Sequence, residues 1–261
     1  MRSMTITRRL VCGFAIALAA SASASAQTAA GSPPPTFAVL SLVGDQFTVV
    51  SRHEEIGSRL DRNTRRSYPI DSPVLDEFAL DAAEKTINKL KPGAQVLRFS
   101  IRDARLFELQ DKLLAESVGS RGLREALAKL AREHQASRLL VVTKWRDDAR
   151  FKLYETESGT GKISGLGFYV DGNERIRRLD NGEEAFGYLG PYAYVNVTLV
   201  DAASMAPIRS SPVRESQMNL PVHSKGVFLA WDALTAEQKV TALERTLRRA
   251  VETGTAAVLA D

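Results

Sequence analysis

The sequence predicts an α/β (α+β) fold in which amphipathic helices pack on a mixed β-sheet. The four residues at 139–142, Leu-Leu-Val-Val, are apolar on both faces of an extended chain, which is typical of a covered central strand. An apolar helical stripe at 122–135 ends shortly before that strand, as in half of a βαβ unit. Polar and apolar residues alternate at 194–200, within a long β-hairpin region predicted at 149–212.

The sequence at 36–70, before the first predicted helix, indicates two strands followed by an exposed connection. Apolar runs at 36–43 and 46–51 flank the turn dipeptide Gly44-Asp45, and this pattern predicts a β-hairpin. The stretch 52–70 that follows is polar and heavily charged. We expect it to form an exposed loop or an irregular edge strand.

Helix boundaries are marked by capping residues. Serine suits the N-cap and proline the first helical position, so Ser72-Pro73 predicts the start of a helix that Pro92-Gly93 ends. A capping box from Thr235 to Gln238 predicts the start of a C-terminal helix, whose stripe contains Leu243 and Leu247. The remaining predicted elements are a strand at 94–101, a helix at 104–116, short strands at 151–154 and 168–170, and a return strand that begins at Pro207.

Residues 158–167 are rich in glycine and predict a loose loop. The stretch superficially resembles a phosphate-binding loop, but the spacing does not match. Thr156 occupies the place of the first glycine, and Ile163 separates Lys162 from Ser164. Without that spacing the backbone amides cannot surround a phosphate, so no nucleotide or other cofactor is predicted.

The N-terminus predicts an export signal at 1–26. It has three arginines, an apolar segment too short to span a bilayer, and the small-residue pattern Ala24-Ser25-Ala26. Cys12, the only cysteine, lies at the start of the apolar segment, so we do not expect it to be acylated. We predict a flexible leader at 27–35 and one domain at 36–261, with a glycine- and aromatic-rich hairpin insertion at about 149–192.

Removal of the signal would change the charge and the cysteine count. Three of the 35 basic residues lie in it and none of the 31 acidic ones, so 32 basic side chains would remain against 31 acidic. This balance gives no electrostatic reason to expect nucleic acid as a partner. A chain without cysteine would have no disulfide and no thiolate metal site. We expect a periplasmic or secreted protein.

The most suggestive group of side chains is aromatic and basic. Tyr169, Tyr188 and Tyr192 are the predicted binding residues together with Arg175. Tyrosine and arginine suit binding surfaces because they combine a large contact area with a polar end. The alternative is ordinary sheet packing, with half-buried tyrosines whose hydroxyls face water.

The histidines offer a second, enzymatic hypothesis. His53 or His223, with a carboxylate such as Asp61 or Asp71, would form the centre of an exported hydrolase. Two zinc-binding histidines on a helix must be one turn apart, and this chain has no such pair. No metal site is therefore predicted.

Three segments resemble known exported proteins. The strand at 37–42, the helix at 127–130 leading into 139–142, and the segment 197–201 before its turn are similar to TolB-type N-terminal domains and CsgG-like lipoproteins. The resemblance implies strands and helices in that order. The sequence departs from that pattern because the Gly44-Asp45 turn precedes the first helix and no lipidated cysteine is expected, so pore formation is not implied. The segment 165–171 resembles uncharacterised proteobacterial exported proteins, which imply no activity.

These observations favour a non-enzymatic accessory protein of the cell envelope. We expect its partner to be a periplasmic or envelope protein, or another envelope component, bound by the face near residues 165–194. The rival hypothesis is the hydrolase. A third is a structural subunit that only forms a homo-oligomer.

Overall fold

The strand predicted at 139–142 lies in the interior of a mixed sheet in the computed structural model of the protein. The structure describes residues 34–53, 61–101, 103–116, 121–153, 156–177, 182, 184–220 and 230–260. The predicted signal at 1–26, the predicted leader up to residue 33, and His223 lie outside the described residues.

Sixteen elements are described. The strands are β1 (Thr36–Ser41), β2 (Gln46–Ser51), β3 (Thr64–Pro69), β4 (Gln95–Ser100), β5 (Arg138–Lys144), β6 (Arg146–Asp148), β7 (Phe151–Leu153), β8 (Thr156–Ser158), β9 (Lys162–Arg177), β10 (Glu184–Asp201) and β11 (Pro207–Ser216). The helices are α1 (Val74–Leu90), α2 (Ala104–Glu116), α3 (Arg121–Glu133) and α4 (Ala236–Leu259), with a short 3-10 helix at Ala230–Ala233. The predicted fold class is confirmed.

Strand β5 is central because both of its edges and both of its faces are covered. It pairs in parallel with β1, which in turn pairs in parallel with β4, and its other edge pairs antiparallel with β10. Leu140 and Val142 pack on the side of α1 and α4, whereas Leu139 and Val141 pack on the side of α2 and α3. The double-sided apolar run therefore lies between two helical layers.

The predicted hairpin at Gly44-Asp45 is wrong. β1 pairs with β4 and β5, whereas β2 pairs with β3 and with β9. β5 and β9 occupy successive stretches of the same edge of β10, with β11 on the other edge. Because β1 is parallel to β5 and β2 is parallel to β9, the chain keeps its direction through Gly44-Asp45 and only bends there.

The long hairpin region is more regular than the sequence predicts. β9 has 16 residues and β10 has 18, so the predicted short strand at 168–170 is part of one continuous strand. That strand begins at Lys162, inside the segment predicted as a loose loop. Its first residues pair with β6, and its middle pairs with β2 and β10, which supplies partners for the glycine-rich backbone. A bulge at Gly187, with φ of 77°, shifts the register near the hairpin end.

The sheet carries different layers on its two faces. α1 and α4 cover one face, and α4 begins at the predicted capping box, in which Thr235 and Gln238 each bond the backbone of the other. On the opposite face α2 and α3 cover β1 and β5, and an aromatic cluster covers β9 and β10. None of the helices in the described part of the chain is long and apolar enough to cross a bilayer.

Candidate functional site

The predicted binding tyrosines form a buried layer under the surface of the long hairpin. We call Phe151, Tyr169, Tyr188, Tyr192 and Tyr194 the tyrosine cluster; each side chain is 0% exposed. The rings of Tyr169 and Tyr188 stack with centroids 6.0 Å apart, and Phe151 lies 4.9 Å from Tyr169. The expectation that these rings lie on the surface therefore needs correction, because they pack against one another instead of facing water.

The hydroxyls of the tyrosine cluster bond to the protein and not to solvent. Tyr192 donates to the carbonyl of Thr48 at 3.4 Å, and Tyr188 donates to the hydroxyl of Ser158 at 3.3 Å. Burial raises the pKa of Tyr192 and of Tyr188 above the ordinary tyrosine value, and raises that of Tyr194 to about 12. These phenols are fixed packing groups at neutral pH. Their part in binding stays a prediction, restricted to supporting the residues around them.

The glycine-rich segment at 158–167 is not a loose loop, because the side chains of Asp61, Asn63 and Tyr169 hold its backbone. The amide of Lys162 donates to a carboxylate oxygen of Asp61 at 3.0 Å, and the side-chain amide of Asn63 donates to the carbonyl of Thr160 at 2.6 Å. The amide of Thr160 also donates to the hydroxyl of Tyr169 at 3.0 Å. Residues far apart in sequence thus fix this segment, which explains why its local composition misled the prediction.

The end of the β9–β10 hairpin presents an arginine and an aromatic ring to solvent. Phe186 is 55% exposed, and the guanidinium of Arg175 lies 5.3 Å from the centre of its ring. The Arg175 side chain is itself 67% exposed, and the carboxylate of Glu184 lies 3.9 Å away. We call Arg175 and Phe186 the hairpin-end pair. Arg175 is the one predicted binding residue whose side chain is largely accessible.

A partly buried ion-pair network anchors the strand that carries Arg175 to the residue that follows β2. The guanidinium of Arg52 donates to Asp171 at 2.7 Å and to Glu174 at 2.8 Å. The Asp171 side chain is fully buried and also accepts the amide of Asn173 at 2.9 Å and that of Glu174 at 3.0 Å. The two carboxylates raise the pKa of the Arg52 guanidinium, despite its partial burial. These contacts fix the strand segment that immediately precedes Arg175.

A polar groove opens where β2, β3, β6 and the first part of β9 meet. It has a volume of about 340 Å³. Four basic side chains line it: Arg65, Lys144, Arg146 and Lys162. We call this the basic groove. Sequence reasoning missed it because its residues come from separate strands and no local motif joins them.

The structure does not join the histidine of the hydrolase hypothesis to its proposed carboxylates. The His53 ring lies 2.6 Å from the hydroxyl of Thr64. Asp61 instead accepts bonds from the backbone amides of Asn63 and Lys162 and from the Arg65 guanidinium, and these interactions hold the pKa of its carboxyl below the usual value despite partial desolvation. Among the described residues no three histidine, cysteine or acidic side chains are grouped closely enough to hold a metal ion. The hypothesis itself stays a prediction, with His223 outside the described residues.

Comparison with known proteins gives a distant structural likeness only. No protein-family model matches the sequence, and no curated protein matches it. A PelC dodecamer from Paraburkholderia phytofirmans has a TM-score of 0.34 at 10% identity, covering 88% of this chain and 91% of that one. The lipoprotein GNA1162 from Neisseria meningitidis has a TM-score of 0.29 at 9% identity, covering 83% and 97%. Protein XCC0632 from Xanthomonas campestris, of the DUF330 family, has a TM-score of 0.31 at 8% identity, covering 88% and 86%.

TM-scores at this level do not establish a common fold, so the function is argued from this chain's own residues. One of these neighbours is a lipoprotein and another is a dodecamer, and both properties are those of the neighbours. The resemblance of the sequence to TolB-type and CsgG-like domains is not established by these matches and stays a prediction.

Proposed function

We propose that this protein is a non-enzymatic accessory protein of the cell envelope that binds a protein partner through the end of its β9–β10 hairpin. The observation that carries the proposal is the hairpin-end pair, in which an exposed phenylalanine lies against an exposed arginine. A large apolar side chain left in water costs free energy that burial under a partner recovers. Aromatic and arginine side chains are also enriched among the residues that dominate binding energy.

The described strands that carry this pair support the proposal, because strand pairing already orders their backbones. Tyr169 and Tyr188 pack beneath the two strands, and Tyr192 continues the same buried layer. Asp171 and Arg52 hold the strand that carries Arg175. A rigid surface loses less conformational entropy on association than a mobile loop does. In this proposal the tyrosines support the surface, and Arg175 contacts the partner.

Site-specific photocrosslinking in cells that produce the full chain tests the proposal. A photoreactive amino acid replaces Phe186 in one variant and Val240 in a second. Val240 is the matched control because it is 58% exposed but lies on α4. We expect a discrete adduct with one other protein from position 186, and none of that mass from position 240. Equal adduct patterns from both positions would exclude the hairpin end.

Affinity measurements with the crosslinked partner then show whether Phe186 and Arg175 contribute to binding or only lie near the partner. Phe186→Ala and Arg175→Ala should each weaken binding by about tenfold or more, as expected for residues that contribute about 1.4 kcal/mol or more. Val240→Ala should leave the affinity within about twofold. An adduct containing two copies of this chain, with light scattering showing an oligomer, would support the homo-oligomer hypothesis instead. A turnover on envelope substrates that is lost in His53→Ala or His223→Ala would support the hydrolase.

A further inference from the structure

The basic groove exists because neighbouring strands separate at one end of β5. β5 and β1 run in parallel up to the bond between the amide of Leu42 and the carbonyl of Val142, at 2.9 Å. After that point β1 bends into β2, whereas β5 leads into β6, which pairs with the start of β9. Crevices at the carboxyl ends of diverging strands are common ligand sites in α/β proteins, because the separating connections leave room for a ligand.

The lining of the groove is cationic and rich in hydrogen-bonding groups. Its uncharged polar side chains are Gln46, Thr48, Ser67, Ser164 and Tyr192, and no carboxylate lines it among the described residues. Thr48 and Ser67 lie 3.0 Å apart and can present a hydroxyl to the groove. The volume of about 340 Å³ lies at the lower end of the range for small-molecule sites.

Three of the four cations have a carboxylate neighbour that does not itself line the groove. Lys144 is only 5% exposed and pairs with Asp45 at 2.9 Å, and the Arg65 guanidinium pairs with Asp61. The Arg65 guanidinium also donates to the backbone carbonyls of Asn63 and Lys162, at 3.0 and 2.9 Å. These two side chains therefore form fixed walls of the groove. Lys162 lies 4.0 Å from Asp148, and both of these side chains are more than half exposed. An ion pair this exposed is weak, so Lys162 remains able to turn to another anion.

Arg146 supplies the charge that is not neutralised. It is exposed, and no carboxylate of the described residues lies within ion-pair distance of it. In the β6–β9 ladder it lies opposite Ser164, and Lys162 is paired two residues further along the same face. One arginine, one lysine and a hydroxyl therefore converge on one side of the groove. A guanidinium and an ammonium together suit a carboxylate or a phosphate group.

We propose that the basic groove binds a small hydroxylated anion through its carboxylate or phosphate group. Arg146 and Lys162 contact the anionic group. The side chains of Thr48, Ser67 and Ser164 bond the hydroxyls of the ligand. This class includes sugar acids and sugar phosphates, and the site is separate from the hairpin-end pair.

NMR titration of the full chain tests this proposal with four probes: glucuronate, glucose 6-phosphate, inorganic phosphate and glucose. We expect saturable shifts of the backbone amides at 162–166 with one or both sugar anions. Phosphate should bind more weakly, and glucose should not bind. The two sugar probes distinguish a carboxylate site from a phosphate site. Shifts that grow linearly for all four probes would overturn the proposal.

Charge-reversed variants locate the site. Arg146→Glu/Lys162→Glu should weaken binding of the sugar anion by about tenfold or more. Arg245→Glu/Lys129→Glu makes the same change in total charge at exposed positions on α4 and α3, and should weaken it by less than about twofold. Arg146→Gln/Lys162→Gln should also weaken binding of the sugar anion, and it disturbs the fold less because it introduces no negative charge. Equal weakening in the groove and control variants would overturn the proposal, and so would binding that neither groove variant weakens.

Discussion

The side-chain oxygen of Gln110 accepts a hydrogen bond from the backbone amide of Lys144 at 2.7 Å. The same side chain donates to the backbone carbonyl of Leu42 at 2.7 Å. These two backbone groups lie where β1 and β5 separate, so neither has its usual partner across the sheet. Gln110 is 1% exposed, and water therefore cannot replace it. One glutamine of α2 thus allows the strands to part and the basic groove to open.

Replacement of Gln110 should destabilise the protein strongly. In Gln110→Leu the amide of Lys144 and the carbonyl of Leu42 would remain buried without partners, at a cost of about 2–4 kcal/mol. Glu108→Leu is the matched control on the same helix, because Glu108 is exposed, and its effect should stay within about 0.5 kcal/mol. Urea unfolding measures both free energies. Equal stabilities of the two variants would show that the Gln110 bonds contribute nothing.

The close approach of β2 and β9 depends on a glycine. A methyl group at Gly167 would overlap the backbone oxygen of Thr48, which belongs to the adjacent strand. Gly167→Ala should therefore force the strands apart and cost about 3 kcal/mol or more. Gly172, in the same strand, has nothing within 4 Å of such a methyl group, so Gly172→Ala should stay within about 0.5 kcal/mol. Thermal unfolding of the two variants measures the difference in their stability. Similar unfolding midpoints would contradict the predicted overlap at Gly167.

Local sequence patterns predicted the elements whose structure is decided locally. The helix at 104–116 and the start of α4 at Thr235 follow from apolar periodicity and capping, which involve residues within a few positions of one another. The central strand at 139–142 follows from its two apolar faces, because only a strand covered on both sides buries them.

Features decided by distant residues were not predictable in this way. Gly44-Asp45 has the composition of a hairpin turn, but the two strands it joins do not pair with each other. β1 pairs with β5, and β2 pairs with β9. Tyrosine is a residue type common in binding surfaces, but Tyr188 and Tyr192 are covered by Phe151 and its neighbours. The four cations of the basic groove come together only through strand pairing, so no spacing in the sequence marks them.

Asp76 fixes the bend between β1 and β2. Its Oδ1 accepts the hydroxyl of Ser41 at 2.6 Å and the amides of Val43 and Gly44 at 3.2 and 3.0 Å. Asp76→Ala would leave three buried donors without a partner and should cost about 3–5 kcal/mol. Asp76→Asn keeps an acceptor oxygen at this position, so its cost should be clearly smaller. Chemical unfolding at neutral pH compares the two, and equal losses would contradict a role for the oxygen.

The ionisation of Asp76 should make stability depend on pH. Burial raises the pKa of its carboxyl in the folded state above the ordinary value of 3.8, although the three hydrogen bonds oppose that shift. Between the two pKa values the folded chain binds more protons than the unfolded chain, so this group lowers stability as pH rises through that window. The difference in unfolding free energy, wild type minus Asp76→Asn, should therefore decrease with rising pH above about 4 and then level off. A difference that increases over this window would contradict the burial effect.

The tyrosine cluster should limit stability in alkali. Burial raises the pKa of Tyr194 to about 12 in the folded state, above the ordinary 10.0, so the unfolded chain loses its phenolic proton first. Stability then falls as pH rises above about 10, because the unfolded state binds fewer protons there. The tyrosinate absorbance near 295 nm that comes from the four cluster tyrosines should rise together with the loss of near-ultraviolet circular dichroism, which reports the packing of the rings.

The phenol of Tyr194 can be tested separately from its ring. Tyr194→Phe loses the bond that the amide of Arg150 donates to the hydroxyl at 3.0 Å, and should cost about 1 kcal/mol at neutral pH. The stability of this variant should fall less steeply above pH 10, because one buried ionisable group is gone. Tyr68→Phe, at a ring that is 42% exposed, should change the stability at neutral pH by less than about 0.5 kcal/mol. Ionisation of the buried phenols of Tyr169, Tyr188, Tyr192 and Tyr194 in a chain that keeps its near-ultraviolet signal would contradict their burial.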